Sequence, residues 1–363
     1  MKALIVGDVS PTPTTDPLFA KGDKQTLFTD FLEVFKEHDF TFVNLECALT
    51  ESENKIEKYG PNLKACTNTA FVLKEVGVNC CGLSNNHIFD FGIEGYRDTI
   101  KALDAAGIDY TGFGENYEDS RKNYYIKDGD KTICFITVCE HEYSYALDDR
   151  MGSRPFDVFD TLDDIREAKK NNDRVIVIYH GGKEHCRYPS PRLRKVCQAM
   201  IKAGADLVTT QHSHCIGCYE NFNGGHIMYG QGNFHFVKLP GEAARATWET
   251  SMAISYDTDK NTVEFIPHRN TENGITIAKG EEKEEIFKEF EERNESLQNG
   301  TWIDGWKAFC QAFKNMYINV VRKAQAEGTN EHDNGLFGHY LDCEAHSDVW
   351  RELFPTANQT NEK

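Results

Sequence analysis

Leu207-Val208-Thr209-Thr210-Gln211-His212-Ser213-His214 decides how this chain is read. A short run of apolar and β-branched residues stops on two imidazoles, the pattern of a buried strand whose end faces a ligand. Three more runs stop in the same way: Ala3-Leu4-Ile5-Val6-Gly7-Asp8, Leu83-Ser84-Asn85-Asn86-His87 and Val175-Ile176-Val177-Ile178-Tyr179-His180. A fifth, Phe40-Thr41-Phe42-Val43-Asn44-Leu45-Glu46, stops on a carboxylate. Open α/β sheets gather ligands at the carboxyl ends of their strands. Five such ends bearing Asp, Glu, Asn and His therefore predict one site assembled from distant parts of the chain.

Outward from these runs, strand and helix signals alternate to about residue 240, which predicts an α/β fold. An amphipathic pattern spans Thr26 to His38. Asn68 is placed to cap a helix that stops at Gly77, and residues 94–106 form another before Gly107. Ser190-Pro191 opens a helix that ends at Gly204. Met252–Tyr256 and Thr262–Ile266 read as a hairpin. Beyond about residue 280 the chain turns helical, over Glu281–Glu295 and Trp302–Ala326. The run Glu281-Glu282-Lys283-Glu284-Glu285 reads as a solvated face. The last eight or so residues are expected to fray. The expected organisation is a domain over 1–275 and a helical extension over 276–363.

The 363 residues are 39% hydrophobic and 27% charged, enough for a folded core. A net charge of −18 argues against nonspecific binding to nucleic acid or anionic lipid. It leaves an anionic substrate open, because a bound cation reverses the field locally. No apolar run approaches the ~20 residues that span a bilayer, and Met1-Lys2 leads straight into a strand. A cytoplasmic location is expected, with the 12 Cys as reduced thiols. The sequence leaves oligomeric state open.

Asp8, Glu46, Asn86, His180, His212 and His214 supply the carboxylate, amide and imidazole mixture that divalent Mn, Fe or Zn favours. Two ions about 3.5–4 Å apart share a bridging carboxylate, a part open to Asp8 or Glu46. Such a pair polarises a phosphoryl oxygen and generates a nucleophile from water at neutral pH. His87 then serves as proton donor to the leaving oxygen, and Asp90, three residues on, orients its ring. The plain structural alternative for Asn85-Asn86-His87 is a loop capped by amide side chains.

The motifs Gly7-Asp8, Asn44-Leu45-Glu46, Asn85-Asn86-His87-Ile88-Phe89-Asp90-Phe91-Gly92, His180-Gly181-Gly182-Lys183-Glu184, Gly204-Ala205-Asp206, His212-Ser213-His214 and Gly230-Gln231-Gly232-Asn233-Phe234 together resemble the poly-γ-glutamate capsule-biosynthesis proteins of the CapA/PgsA type. That family lies within the calcineurin-like metallophosphoesterase superfamily. The resemblance covers roughly residues 1–240. It implies a β-sandwich flanked by helices, a dinuclear metal site, and Glu46 as the bridging carboxylate. It also implies a metal-dependent hydrolase acting on a small or polymeric anionic substrate. A non-catalytic or amide-directed part in capsular polymer assembly is the other reading. The chain departs from the superfamily at Ser10, where a histidine ligand is usual, and at Gln211, where glycine is usual.

Asn85, His185 and His141 are further candidates for touching substrate, each with a plain structural alternative. Cys215-Ile216-Gly217-Cys218 follows His214. It reads either as two buried thiols or, with His214, as a one-zinc site. Lys183, Arg187 and Arg154 lie near candidate loops, where ordinary ion pairing competes with substrate contact. His235 is a candidate neighbour of the ligand shell.

Overall fold

The computed structural model describes residues 1–237, 248–326 and 328–355. The expected final eight residues, 356–363, lie outside the described residues. Two sheets pack face to face. In the first, Lys2–Val9 pairs in parallel with Phe40–Leu45, and Cys80–Gly82 and Asp109–Thr111 extend that side. The other side is antiparallel, through Thr250–Asp257, Thr262–Asn270 and Ile275–Ile277. The second sheet sets Lys131–Cys139, Arg174–His180, Leu207–Gln211 and Gly225–Gln231 parallel at its centre.

Side-chain alternation explains the layering. Along Arg174–His180, Ile176 and Ile178 enter the core between the sheets, while Val175, Val177 and Tyr179 face the helices outside. Phe40, Phe42, Ala3 and Ile5 meet them from the first sheet, with Phe42 stacked on Phe135 at 5.3 Å. Helices over residues 16–36, 68–76 and 92–106 cover one outer face. Those over 158–171, 191–203 and the C-terminal segment cover the other. The architecture is the helix-flanked β-sandwich that the family resemblance implies.

Most expected elements form. The helix Asn68–Val76 ends at a left-handed Gly77, although the Asn68 side chain donates to Phe19 O instead of capping. Ser190 accepts from Leu193 N and opens Pro191–Ala203. The pattern over Thr26 to His38 is not one helix. It splits into Lys24–Phe28 and Phe31–Lys36, because Thr29 is left-handed at φ 42° and donates to Ile275 O. Asp30 completes the break by accepting from Ile277 N at 2.9 Å. The border expected at 275/276 falls inside the strand Ile275–Ile277, and the helical run starts at Gly280. Its helices are Gly280–Asn299, Trp302–Ala324, Glu331–Asp342 and Glu344–Leu353. Trp306, Tyr317 and Val349 join the same core cluster as Val177 and Tyr179, so the segment packs onto the sandwich. Among the described residues no helix is long and apolar enough to cross a membrane.

Candidate metal centre

The parallel strands of both sheets end at one mouth of the sandwich, and residues at or shortly past those ends form the candidate site. Phe40, Phe42, Asn44 and Glu46 keep one alternation, so Glu46 continues the face that lines the core between the sheets. Ile176, Ile178 and His180 do the same from the opposite sheet. Asp8 is brought in by a register shift in the first strand between Ile5 and Asp8. Gly7 permits that approach: a Cβ there would stand 2.0 Å from Gly232 O. Beneath the site the Gln211 amide donates to Val6 O at 3.0 Å, and the Gln231 amide to Ile5 O at 2.9 Å. Gln211, where glycine was expected, is thus a tie between the two sheets.

Two ligand triads result, Glu46–His180–His212 and Asp8–Glu46–His214, each with ligand atoms within 4.8 Å of one another. Glu46 belongs to both. His180 Nε2 lies 3.4 Å from Glu46 Oε1 and 3.0 Å from Asn86 Oδ1. His214 Nδ1 lies 2.8 Å from Asn233 Oδ1 and 3.5 Å from Asp8 Oδ2. Asn44 donates to Asp8 Oδ1 at 2.7 Å, fixing the carboxylate. Ser10 lines the cavity but belongs to neither triad.

The donors fit divalent cations on a test that needs no ion. Neither Glu46 oxygen has a hydrogen-bond partner among the described residues, nor does His212 Nδ1, although all are buried. Buried polar atoms are normally satisfied, so these donors suit a cation. Burial, and then the neighbouring Asp8, push the Glu46 carboxyl well above its usual range. Burial lowers His180 despite Asp8, and lowers His212 to about 3 despite Glu142. His212 and His214 take left-handed φ of 76° and 53°. Each costs about 1–2 kcal/mol for an L-residue, a strain typical of functional positions.

His87 Nδ1 meets Asp90 Oδ2 at 2.7 Å, so the structure brings these two candidates together. Lys58 was missed. It is buried, lies 2.5 Å from Asp90 Oδ1 and 3.1 Å from His87 Nδ1, and no pattern marks it in the irregular stretch around it. Burial, and then Lys58, lower the His87 pKa.

The site opens into a cavity of about 1120 Å³ shared by His87, Asn86, Lys183, Glu184, His185 and Trp248. His185 is therefore brought to the site, and its backbone N–H donates to Ser213 O. Asn85 is not on the cavity wall. Its amide donates to Asn44 and Leu45 and accepts from the His87 and Ile88 backbones, so it builds the loop. His141 is not brought to the cavity either. Its Nδ1 meets Glu344 Oε1 at 2.6 Å, and its neighbour Glu142 takes the cavity position. Glu142 lies 3.4 Å from His212 and 3.5 Å from His339. Burial would raise this carboxyl, but the two imidazoles prevail and hold it at about 2.

The remaining candidates resolve into structure. His235 is buried against Phe19 and Phe28, at 4.9 and 5.4 Å, away from the ligands. Arg187 pairs with Glu289, and Arg154 with Asp164. Cys215 and Cys218 are free and fully buried, with pKa pushed by burial to about 11 and 12. Among the described residues they belong to no metal-ligand group.

Fold and site together define a helix-flanked α/β sandwich with clustered candidate metal ligands at its strand ends. Residues 2–238 match the model of the bacterial capsule synthesis protein family, PGA_cap. The chain belongs to that family. It is 29% identical over 241 residues to the capsule biosynthesis protein CapA of Bacillus anthracis, covering 64% of this chain and 59% of that protein. Against the PGA biosynthesis protein CapA of Bacillus subtilis it is 29% identical over 241 residues, covering 65% and 63%. The chain thus spans about three-fifths of the length of these relatives. A hypothetical protein of Thermus thermophilus superposes with TM-score 0.47 at 15% identity, covering 75% of this chain and 100% of that one. That score carries no argument here.

Proposed function

We propose that this chain is a metal-dependent hydrolase of the phosphoesterase type, acting on a small or polymeric anionic ester. One observation carries the reading: two buried candidate triads share a carboxyl whose oxygens have no hydrogen-bond partner among the described residues. Asp8, Glu46 and His214 would hold one ion, and Glu46, His180, His212 and Asn86 the other. Ions bound there supply Lewis-acid polarisation of a phosphoryl oxygen and an activated water. The chain's own residues do the rest. His87 gives a proton to the departing oxygen. Asp90 holds the ring at Nδ1, which leaves Nε2 for that transfer. Lys58 balances the buried Asp90 charge. Lys183, on the cavity wall, offers a cation to an anionic substrate.

Family membership favours a second reading, a part in poly-γ-glutamate assembly without phosphoester chemistry, because the relatives are named for that synthesis. Metal analysis, followed by phosphomonoester, phosphodiester and γ-glutamyl substrates, separates the two. Two bound ions with phosphoester turnover support the hydrolase. Two bound ions without it support the assembly role.

A further inference from the structure

The family model stops at residue 238, yet the cavity is walled in part by the helices beyond Gly280. His339, on Glu331–Asp342, is 7% exposed in its side chain and points its Nε2 at Glu142 Oε1, 3.5 Å away. The other Glu142 oxygen, Oε2, faces His212 Nε2 at 3.4 Å. The carboxylate thus lies between two imidazoles, within 3.5 Å of each, one from the candidate ligand set and one from the C-terminal segment. His212 Nδ1, on the opposite side of its ring, is buried and has no hydrogen-bond partner among the described residues. Metal-binding histidines are commonly oriented, and made more basic, by a carboxylate beside the ring nitrogen that does not bind the ion.

The backbone is bent to achieve this. Tyr143, next to Glu142, is left-handed at φ 54°. Bulky residues adopt that conformation only when surrounding contacts impose it. Three contacts do. The Tyr143 ring stacks on His339 at 4.9 Å, Lys58 lies over it at 5.3 Å, and its hydroxyl accepts from Tyr59 N at 3.2 Å. His339 is itself backed by the His346 ring at 4.7 Å, and Tyr317 Oη meets His346 Nδ1 at 2.7 Å.

Resting on the reading that the triads hold ions, we propose that Glu142 is a positioning residue for His212. His339 holds Glu142 in place, so the C-terminal helices complete the metal centre.

The test measures cation binding, not turnover. In the full chain, Mn²⁺ is titrated calorimetrically into wild type, Glu142→Gln, His339→Ala, His339→Gln and Tyr317→Phe. Glu142→Gln should weaken one of the two binding events by roughly 10- to 100-fold and leave the other intact. His339→Ala should weaken the same event, and His339→Gln, whose amide can still donate to Glu142, should recover part of it. Tyr317→Phe removes a hydrogen bond inside the same helical packing and should leave both events unchanged. Wild-type affinity in folded Glu142→Gln or His339→Ala overturns the proposal. So does a loss in Tyr317→Phe equal to that in His339→Ala, since packing alone would then account for it. If wild type binds no Mn²⁺, the metal reading itself fails. Two ions in wild type with indifferent variants sink only this inference.

Discussion

Replacing Glu46 with Gln tests the shared carboxylate directly. An ion bound to the native state at 100 times its dissociation constant stabilises it by about 2.7 kcal/mol. Two ions together give about 5.4 kcal/mol. At about 2.1 cal/mol/K per residue, 363 residues have an unfolding entropy near 0.8 kcal/mol/K. Each kcal/mol then moves Tm by about 1.3 °C, and two ions by about 7 °C. Because Glu46 stands in both triads, Glu46→Gln should abolish nearly all of that shift. His214 stands in one triad only, so His214→Ala should keep about half, some 3.5 °C.

The metal-free baseline moves the other way for Glu46→Gln. The native carboxyl is buried beside Asp8 with no hydrogen-bond partner on either oxygen among the described residues. A neutral amide needs no counter-charge, so in chelator this variant should melt at or above wild type. Thermal melts of the three proteins, in chelator and across a Mn²⁺ series, read both quantities. A wild-type metal shift in Glu46→Gln would refute the bridging assignment. Equal loss in Glu46→Gln and His214→Ala would refute the division into two sites.

Other perturbations have separate outcomes. His87→Ala should lower phosphoester turnover by about 10²- to 10⁴-fold while metal content stays at wild type; loss of metal would instead put His87 in the ligand shell. His141→Ala should leave metal binding and turnover unchanged. It should cost about 1.5–3 kcal/mol for the lost charge-assisted bond to Glu344, a Tm drop of roughly 2–4 °C. Asp30 is held down to about 2, its burial outweighed by Lys279 and by donors from Ile277 and Thr276. A depressed carboxylate stabilises the fold above its unfolded pKa, so the advantage over Asp30→Asn should shrink as pH falls from 3.8 towards 2. Its full size, discounted for exposure, is about 1 kcal/mol, read from paired melts. Cys215→Ser with Cys218→Ser should retain both ions by elemental analysis, since neither thiol belongs to a ligand group.

The candidate ligand set was legible because its members lie at, or within a few residues of, the end of a strand that is itself legible. Buried parallel strands read as β-branched runs, and a polar residue ending such a run has nowhere to go but the mouth of the sheet. His180 and Glu46 follow from that logic alone. Glu142 does not. Beyond Cys139 the chain leaves the ladder, Tyr143 turns left-handed, and position in the sequence no longer fixes which side chain faces inward. His141 and Glu142 are then equal on the page, and only Glu344, two hundred residues away, decides between them. Lys58 and His339 were hidden for the same reason, one in an irregular loop and one on a helix whose packing partner periodicity does not name. The broken helix at Thr29 is a third case, set by contacts to Ile275 and Ile277.

The strained histidines bear on whether cations build this site or only occupy it. His185, His212 and His214 all hold positive φ, at 63°, 76° and 53°. At about 1–2 kcal/mol each, the surrounding fold must supply the compensation. The contacts that impose these turns are made by protein atoms. The His212 N–H donates to Asp8 Oδ2, the His185 N–H to Ser213 O, and the Gln211 and Gln231 amides tie the two sheets directly below. Three core clusters stand behind them without any ligand atom. A one-zinc scaffold is different, because there the metal's binding energy is folding energy and chelation unfolds the chain. Here chelation should cost the few degrees of a bound ligand and leave a folded protein with its cavity formed. A cooperative loss of secondary structure in chelator at 25 °C would show that the ions hold the two sheets together.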